Sequence, residues 1–238
     1  MEQNKPKTMS TLGRQNHEKQ RALRHLAYDK IKQMVLENRL DFGKKINEKQ
    51  LSGELALSRT PFREAMIMLE KENLITHAEH GGFLVRRFSL KEIADIFDLR
   101  EIMEKSQAGL IAQQITDELI EDLAQILGNI KATIDAGDAP RAMYQAMTFH
   151  ERIIELCGNS GLYHVMRNIY EKLTLVSWRL QKIETCLESQ AEYEEILSAL
   201  RSRDGEKLET AIGTHISKAK KRVLDAMMED IDKLYFES

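Results

Sequence analysis

The stretch LSGELALSRTPFREAMIMLE, residues 51–70, decides the fold of the first part of the chain. It opens with two leucines four residues apart, which predicts a short helix over residues 48–56. Thr60 followed by Pro61 is a typical helix start, with a hydroxyl at the N-cap and proline at the first helical position. The spacing therefore predicts two helices joined by a tight connection, the second ending near residue 72.

Further periodic segments lie on both sides of these two helices. Before them, apolar residues recur at helical spacing from about residue 18 to 37. After them come two short β-prone runs, at 74–78 and 83–87, joined by EHGG, a connection with two glycines. This order is that of a winged helix-turn-helix, which we expect over residues 17–88. Residues 1–16 are polar and lack periodicity, which predicts a disordered tail.

From about residue 89 onward the pattern is helical. Breaks rich in turn and cap residues divide this part into six predicted helices, at residues 90–114, 116–135, 138–157, 159–184, 188–203 and 205–234. Six helices of this length predict an all-α bundle with its own core over residues 89–238. We therefore expect a mainly α protein with two folded domains that meet near residue 88.

Composition and charge narrow the classes of function. The two cysteines, Cys157 and Cys186, are too few for a disulfide framework and show no zinc spacing. No segment resembles a signal peptide or approaches the roughly 18 to 20 apolar residues of a membrane span, so we expect a cytoplasmic protein without membrane contact. Residues 1–88 hold 17 Lys and Arg against 11 Asp and Glu (+6), and residues 89–238 hold 18 against 27 (−9). This asymmetry indicates an anionic partner, such as nucleic acid, at the N-terminal part.

Polar side chains cluster where a recognition helix would meet DNA. Arg59 and Arg63 are four residues apart and lie opposite the apolar stripe of the second helix. An arginine there can bond both acceptors of a guanine in the major groove. Nearby hydroxyls and a lysine suit phosphate contacts, and the hairpin tip suits the minor groove. The candidates for contact with double-stranded DNA are Lys49, Ser58, Arg59, Thr60, Arg63, His80 and Gly81.

Residues 38–89 resemble the N-terminal domain of GntR-family bacterial transcription regulators. The matching positions are Leu51, Leu55, Ser58, Arg59, Thr60, Pro61, Arg63, Glu64, Ala65, Leu69, Leu74, Ile75, Gly81 and Val85. One departure is Phe42, where the family usually has proline before Gly43. It alters a turn, and we do not expect it to alter DNA reading.

The second part resembles the FCD effector domain of the FadR-like branch of that family. The resemblance is carried by DLREIME (98–104), FHERIIELCGN (149–159) and EILSALRSRDGEKLETAIGTHI (195–216). Six predicted helices fit the shorter, VanR-like subgroup. The resemblance implies a homodimer, a palindromic operator and a pocket that binds a small, usually acidic metabolite. We therefore expect a metabolite-responsive repressor, the alternative being a DNA-binding regulator whose pocket no longer responds to a small molecule.

An enzyme is the rival class of function. The sequence shows no pairing of a nucleophile with a base and no phosphate-binding glycine loop. Scattered titratable groups are expected by chance in a helical bundle of this size. We therefore do not expect catalysis.

The resemblance also bears on a metal site. In many domains of this type an aspartate and three histidines hold a divalent ion such as zinc. The resemblance maps these four positions to Ala146, His150, Tyr193 and His215. Alanine cannot coordinate and neutral tyrosine is a poor zinc ligand, so we expect no bound metal.

Three interpretations of this part of the bundle stay open. It holds a divalent metal such as zinc, or a metal-free pocket binds an organic effector, or its polar side chains form a packed cluster with no ligand. The expected effector-binding residues are Arg100, His150, Tyr193 and His215. Arg100 would supply the positive charge for a carboxylate, or it forms an ion pair with Glu104, four residues on.

Overall fold

The computed structural model describes the backbone over residues 8–180 and 183–236, and the side chains over residues 18–139, 141–177 and 184–230. The chain divides into two compact units, Met1–Arg87 and Phe88–Ser238. The division falls beside the boundary that the sequence pattern predicts.

The first unit contains, in its described part, three helices and a two-stranded antiparallel sheet. Its elements are α1 (Thr8–Leu36), α2 (Glu48–Glu54), α3 (Arg59–Lys71), β1 (Ile75–His77) and β2 (Phe83–Val85). Ile75 lies opposite Val85 in the sheet, and His77 lies opposite Phe83. The order of these elements confirms the predicted winged helix-turn-helix.

Helix α1 begins earlier than the sequence pattern predicts. It starts at Thr8, so residues 8–16, which we assigned to a disordered tail, are helical, and residues 1–7 lie outside the described part. The pattern missed these turns because they carry no apolar periodicity. A polar segment can still extend a helix, since each added residue gains one hydrogen bond while only the first turn is costly to form.

The core of the first unit lies between α1, α3 and the sheet. Helix α3 contributes the buried residues Phe62, Ala65, Met66 and Leu69, and α1 contributes Ala27, Ile31 and Val35. This packing fixes which side of α3 faces outward. Truncating Leu69 to alanine is expected to cost about 2–5 kcal/mol through lost burial and the cavity left behind.

Helix α3 starts two residues before its predicted first position. Ser58 is the N-cap and Arg59 is the first helical residue, so the prediction of Thr60 as the N-cap is wrong. Pro61 is tolerated as the third helical residue because the first four N–H groups of a helix have no intrahelical partner. Arg59 therefore lies within the first turn of α3.

The second unit consists, in its described part, of six helices. They are α4 (Leu90–Gln114), α5 (Asp117–Asp135), α6 (Ala139–Glu155), α7 (Ser160–Leu180), α8 (Ile183–Ser202) and α9 (Gly205–Phe236). Ser89 and Glu92 form a capping box at the start of α4. The helical bundle is as predicted, but α8 begins at Ile183 rather than at 188. The predicted break is absent because Cys186 and Ser189 are buried within the first turns of α8.

Pairwise packing of these helices builds the second core. Helix α4 packs along α9, α5 packs on α6 and α8, and α6 packs on α7. Helices α4, α6, α7, α8 and α9 also bring polar side chains into this core, which is unusual unless the polar groups are paired. Among the helices that the structure describes, none has the length and apolarity needed to cross a bilayer.

Candidate DNA interface and candidate effector site

The outward face of α3 carries the two arginines that the sequence singled out. Arg59, Thr60 and Arg63 are exposed, whereas Phe62 and Met66 on the same helix are buried. Within the part of the chain whose side chains are described, neither guanidinium has a hydrogen-bond or ion-pair partner. Both are therefore free to bond phosphates or base edges at the N-terminal end of this helix.

Ser58 and Lys49 each lie at the start of a helix, Ser58 at that of α3 and Lys49 at that of α2. Ser58 is exposed, and its hydroxyl makes no capping hydrogen bond to α3. Lys49 is exposed in the first turn of α2, whose N-cap Asn47 accepts a hydrogen bond from the backbone of Gln50. The positions of both residues agree with phosphate contacts at the two helix starts.

The hairpin tip forms the wing. His80 and Gly81 are exposed there, and the Gly81 N–H donates to the carbonyl of Ala78. Gly81 has a φ of +79°, in the left-handed region that favours glycine. Phe42, the departure from the family pattern, bridges Val85 of β2, so its contact is with the wing sheet.

A buried polar network crosses the second unit and contains the histidines in question. Its ionic members are Arg100 and Glu104 on α4 and Glu192 on α8, each at most 5% exposed, and Arg222 on α9. The aromatic and imidazole members are His150 on α6, Tyr170 on α7 and His215 on α9. Their contacts form one continuous chain across five helices.

Arg100 and Glu104 form the ion pair that their spacing predicts. Arg100 Nε donates to Glu104 Oε1 at 2.6 Å, and the Tyr170 hydroxyl donates to the same oxygen at 3.1 Å. Burial alone would raise the pKa of Glu104, but the Arg100 guanidinium and the His150 ring hold that pKa well below its usual range. Glu104 is thus a carboxylate, and it balances the charge of Arg100 inside the bundle.

His150 and His215 are each fixed by a carboxylate and face one another. His150 Nδ1 lies 3.3 Å from Glu104 Oε2, and His215 Nδ1 lies 2.9 Å from Glu192 Oε2. If each Nδ1–H donates to its carboxylate, both Nε2 atoms carry lone pairs; they are 3.2 Å apart. Arg100 Nη2 lies 2.8 Å from His150 Nε2 and can donate to it.

Both imidazoles are neutral at physiological pH. Burial, followed by the nearby Arg100 guanidinium, lowers the pKa of His150 to about 3. Burial is also the largest cause that lowers the pKa of His215. As neutral rings with Nδ1–H directed at the carboxylates, both can accept a hydrogen bond at Nε2, and His150 can accept one from Arg100.

The donor set does not fit a zinc ion. Ala146 contributes no ligating atom, and burial raises the pKa of Tyr193 well above its usual range, so a phenolate ligand is not available. In the described part of the chain no group of three or more His, Cys, Asp or Glu side chains could hold a metal. His150 and His215 alone do not supply the three or four protein ligands that zinc sites use.

A cavity of about 60 Å³ lies beside the network. Its polar lining is Arg100, Ser177, Thr185, Cys186, Ser189, Tyr193, His215 and Arg222. Its apolar lining is Phe97, Ile130, Ala142, Met143, Ala146, Met147, Leu173, Ala219 and Val223. Three of the four expected effector residues thus line the cavity, whereas His150 lies outside its lining, in contact with Arg100 and His215.

The sequence did not predict three members of this site: Arg222, Glu192 and Tyr170. Arg222 lies on α9. Its two terminal nitrogens bond the two oxygens of Glu192, each at 2.7 Å, and Nη2 also donates to Ser189 Oγ at 2.9 Å. In sequence, Arg222 belongs to KAKKR, which resembles a solvated charged face. Only the packing of α9 on α8 distinguishes it from the neighbouring lysines.

Comparisons with known proteins agree with both halves of this architecture. Residues 95–218 match the family described as FCD domain, and residues 23–85 match the family described as bacterial regulatory proteins, gntR family. The gluconate operon transcriptional repressor of Bacillus licheniformis is 28% identical, over 73% of this chain and 74% of its own length. The Nta operon transcriptional regulator of Aminobacter aminovorans is 27% identical, over 81% of this chain and 90% of its own length.

A solved structure has the same fold. E. coli McbR/YncC superposes with a TM-score of 0.77 at 18% identity, over 85% of this chain and 97% of that one. The matched families and curated relatives are DNA-binding transcription regulators, which confirms that the chain is not an enzyme. The chain belongs to the GntR family of bacterial transcription regulators and carries a C-terminal FCD domain.

Proposed function

We propose that the protein is a metabolite-responsive repressor that binds a palindromic operator as a homodimer. The proposal of DNA binding rests on one pair of exposed arginines, Arg59 and Arg63, at the start of α3. Neither side chain has a partner among the described residues. Two relatives are named as operon repressors, which supports repression rather than activation. The proposal of a metabolite effector rests on the cavity beside Arg100 in the second unit.

DNA reading is assigned to the residues predicted from the sequence. Arg59 and Arg63 would bond base edges, Ser58, Thr60 and Lys49 would bond phosphates, and His80 and Gly81 would enter the minor groove. The basic first part of the chain would make binding strongly dependent on salt.

Selection from a random duplex pool, followed by fluorescence anisotropy, tests this assignment. Arg63→Ala is expected to lower affinity for the selected duplex by about 10- to 100-fold, the value of a bidentate base contact. Lys71→Ala, at the far end of α3 and also exposed, is the matched control and should bind like the wild type. If Arg63→Ala bound the selected duplex as tightly as the wild type, α3 would not be the helix that recognises the DNA sequence.

A homodimer is supported by an apolar stripe on α4. Leu99, Ile102 and Leu110 lie on one side of this helix and are 45%, 68% and 37% exposed, opposite the side that Phe97 and Ala108 bury. Exposed apolar residues grouped on one helix face are typical of an association surface. In a dimer the two recognition helices would reach successive major grooves of a palindrome.

Sedimentation of variants tests the dimer. Ile102→Glu should shift the protein toward monomer and weaken operator binding. Tyr144→Glu, which alters an exposed aromatic residue on α6, is the control and should stay dimeric. A dimer unaffected by Ile102→Glu would place the interface elsewhere.

The alternative, a regulator whose pocket does not respond to a ligand, also has an observation in its favour. Glu104 pairs with Arg100 and Glu192 pairs with Arg222, so the charges of both guanidinium groups are already balanced. Operator affinity measured across a broad panel of organic acids separates the two candidates. A constant affinity favours the alternative.

A further inference from the structure

We propose that Arg21, in the N-terminal part of α1, binds the sugar–phosphate backbone of the operator beside the groove that α3 reads. This inference rests on the proposed DNA binding and adds to it a contact outside the helix-turn-helix and the wing. It starts from the distribution of positive charge along the first unit.

Most of the positive charge of the first 88 residues precedes the helix-turn-helix. Residues 1–25 hold 6 Lys and Arg against 2 Asp and Glu (+4), and residues 26–88 hold 11 against 9 (+2). Helix α1 begins at Thr8, so four of those six basic residues belong to a helix. Positive charge concentrated at one end of a helix indicates an anionic partner there.

Three contacts show that α1 and α3 run in the same direction. Near the middle of α3, Arg24 Nη1 lies 3.8 Å from Glu64 Oε2. Just past the end of α3, the Tyr28 hydroxyl donates to Glu72 Oε1 at 2.6 Å, and Lys32 Nζ donates to Glu72 Oε2 at 2.9 Å. The N-terminal parts of both helices therefore lie at the same end of the unit, which is the end where a recognition helix meets base edges.

Arg21 lies on the side of α1 that makes these contacts. Arg21, Arg24, Tyr28 and Lys32 follow one another at spacings of three, four and four residues, which places them on one side of a helix. The last three each contact a carboxylate on α3 or at its end. Arg21 precedes Arg24 by about 4.5 Å along the helix axis, so it lies level with the first turns of α3.

The Arg21 side chain is available to an anion. It is exposed, and it has no hydrogen-bond or ion-pair partner among the residues whose side chains are described. The exposed side chains of the first turns of α3 are Arg59, Thr60 and Arg63, so α3 offers no carboxylate at this level. Glu18, one turn earlier on α1, is also exposed and forms no ion pair with Arg21. An exposed guanidinium without a counter-charge at this end of the unit favours a phosphate partner.

Helix packing distances place α1 over the DNA backbone rather than over the bases. Packed helices lie about 8–10 Å apart, whereas the major groove is about 12 Å wide. When α3 lies in the groove, the axis of α1 is therefore farther from the groove centre than the phosphates that border it. A contact from Arg21 adds affinity that does not depend on base sequence and that weakens as salt rises.

Anisotropy titrations of the full-length protein at several salt concentrations test this inference, with the selected duplex and a random duplex as probes. Arg21→Gln should lower the affinity for both duplexes by the same factor, about three- to fivefold, the upper range for an exposed ion pair. It should also reduce the slope of log affinity against log salt by about one. Arg21→Lys, which keeps the charge, should retain the wild-type slope.

Lys30→Gln is the matched control. Lys30 is also exposed on α1, and the substitution removes the same charge, but it lies about 14 Å farther along the helix axis, away from the DNA end. Affinity and slope should stay at the wild-type values in Lys30→Gln, and thermal unfolding should be unchanged in both variants. Equal losses of affinity in Arg21→Gln and Lys30→Gln would overturn the inference. A reduced preference for the selected duplex in Arg21→Gln would also overturn it, because Arg21 would then contact a base.

Arg63→Ala distinguishes a failure of this inference from a failure of the proposed function. If Arg63→Ala loses affinity for the selected duplex while Arg21→Gln keeps the wild-type affinity and slope, α3 still reads the operator and the assigned backbone contact is wrong. If the wild-type protein binds no duplex in a salt-dependent way, the proposed DNA binding fails and this inference fails with it.

Discussion

Arg63 and Arg100 carry the same guanidinium group in opposite surroundings. Arg63 is exposed on α3 and unpaired among the described residues, whereas Arg100 is 1% exposed and bonded to Glu104 and His150. An exposed arginine can move to meet a polyanion, and its contribution is screened by salt. A buried arginine is held in one pose and interacts strongly with whatever shares its cavity. The proposed DNA-binding surface (Ser58, Arg59, Thr60 and Arg63) therefore consists of exposed side chains, whereas Arg100 beside the cavity is buried and paired.

The largest expected effect follows from removing the partner of the buried arginine. Glu104→Gln leaves the Arg100 charge uncompensated and should lower the free energy of unfolding by about 3–5 kcal/mol. Urea denaturation measures this change. Glu101→Gln, on the same helix, loses only a half-exposed ion pair with Lys105 and should change stability by less than about 0.5 kcal/mol. Equal, small effects would mean that water reaches Arg100.

Acid should destabilise the second unit for a related reason. The unfolded chain binds a proton at a histidine below pH 6.5, whereas folded His150 has a pKa of about 3. Between these values the unfolded state holds more protons, so stability falls as pH falls, by about 2 kcal/mol per such histidine on going from pH 7 to pH 5. The lowered pKa of Glu104 acts in the same direction at more acid pH.

Urea unfolding at several pH values checks this profile. His150→Gln should flatten it, because the group that must gain a proton is gone. His164→Gln, which alters an exposed histidine on α7, should leave the profile as it is. A wild-type protein whose stability rises between pH 7 and pH 5 would contradict the neutral imidazole pair.

The two regions differ in how far the sequence predicts them. The winged helix-turn-helix was predictable because its turn residues and apolar spacing are local, although the starts of α1 and α3 were misplaced. Arg100 and Glu104 were also visible as a local pair. The role of Arg222 was not, because it depends on the packing of α9 against α8, and a charged run gives no local sign of burial. The sequence likewise could not predict that His150 lies outside the cavity lining, because this depends on the tertiary structure.

A smaller effect on DNA affinity should show whether Arg63 acts through its positive charge or through the planar shape of its guanidinium group. Arg63→Lys keeps the positive charge but loses the planar fork that bonds two acceptors of one base. Affinity for random duplex DNA and its salt dependence should stay near the wild-type values, while the preference for the selected duplex falls by about tenfold. Anisotropy titrations on both duplexes measure the ratio. A change in salt dependence without a change in preference would make Arg63 a phosphate contact.

The smallest expected effect concerns two serines at helix starts. Ser89 accepts a capping hydrogen bond from the Glu92 backbone, whereas Ser58 makes none. Ser89→Ala should therefore cost about 1 kcal/mol of stability. Ser58→Ala should cost less than about 0.5 kcal/mol, below the usual range for a cap, yet lower operator affinity a few-fold through a lost phosphate contact. Thermal unfolding and anisotropy on both variants measure these effects and show whether the Ser58 hydroxyl is available to DNA. A stability loss in Ser58→Ala equal to that in Ser89→Ala would show that Ser58 is an ordinary helix cap.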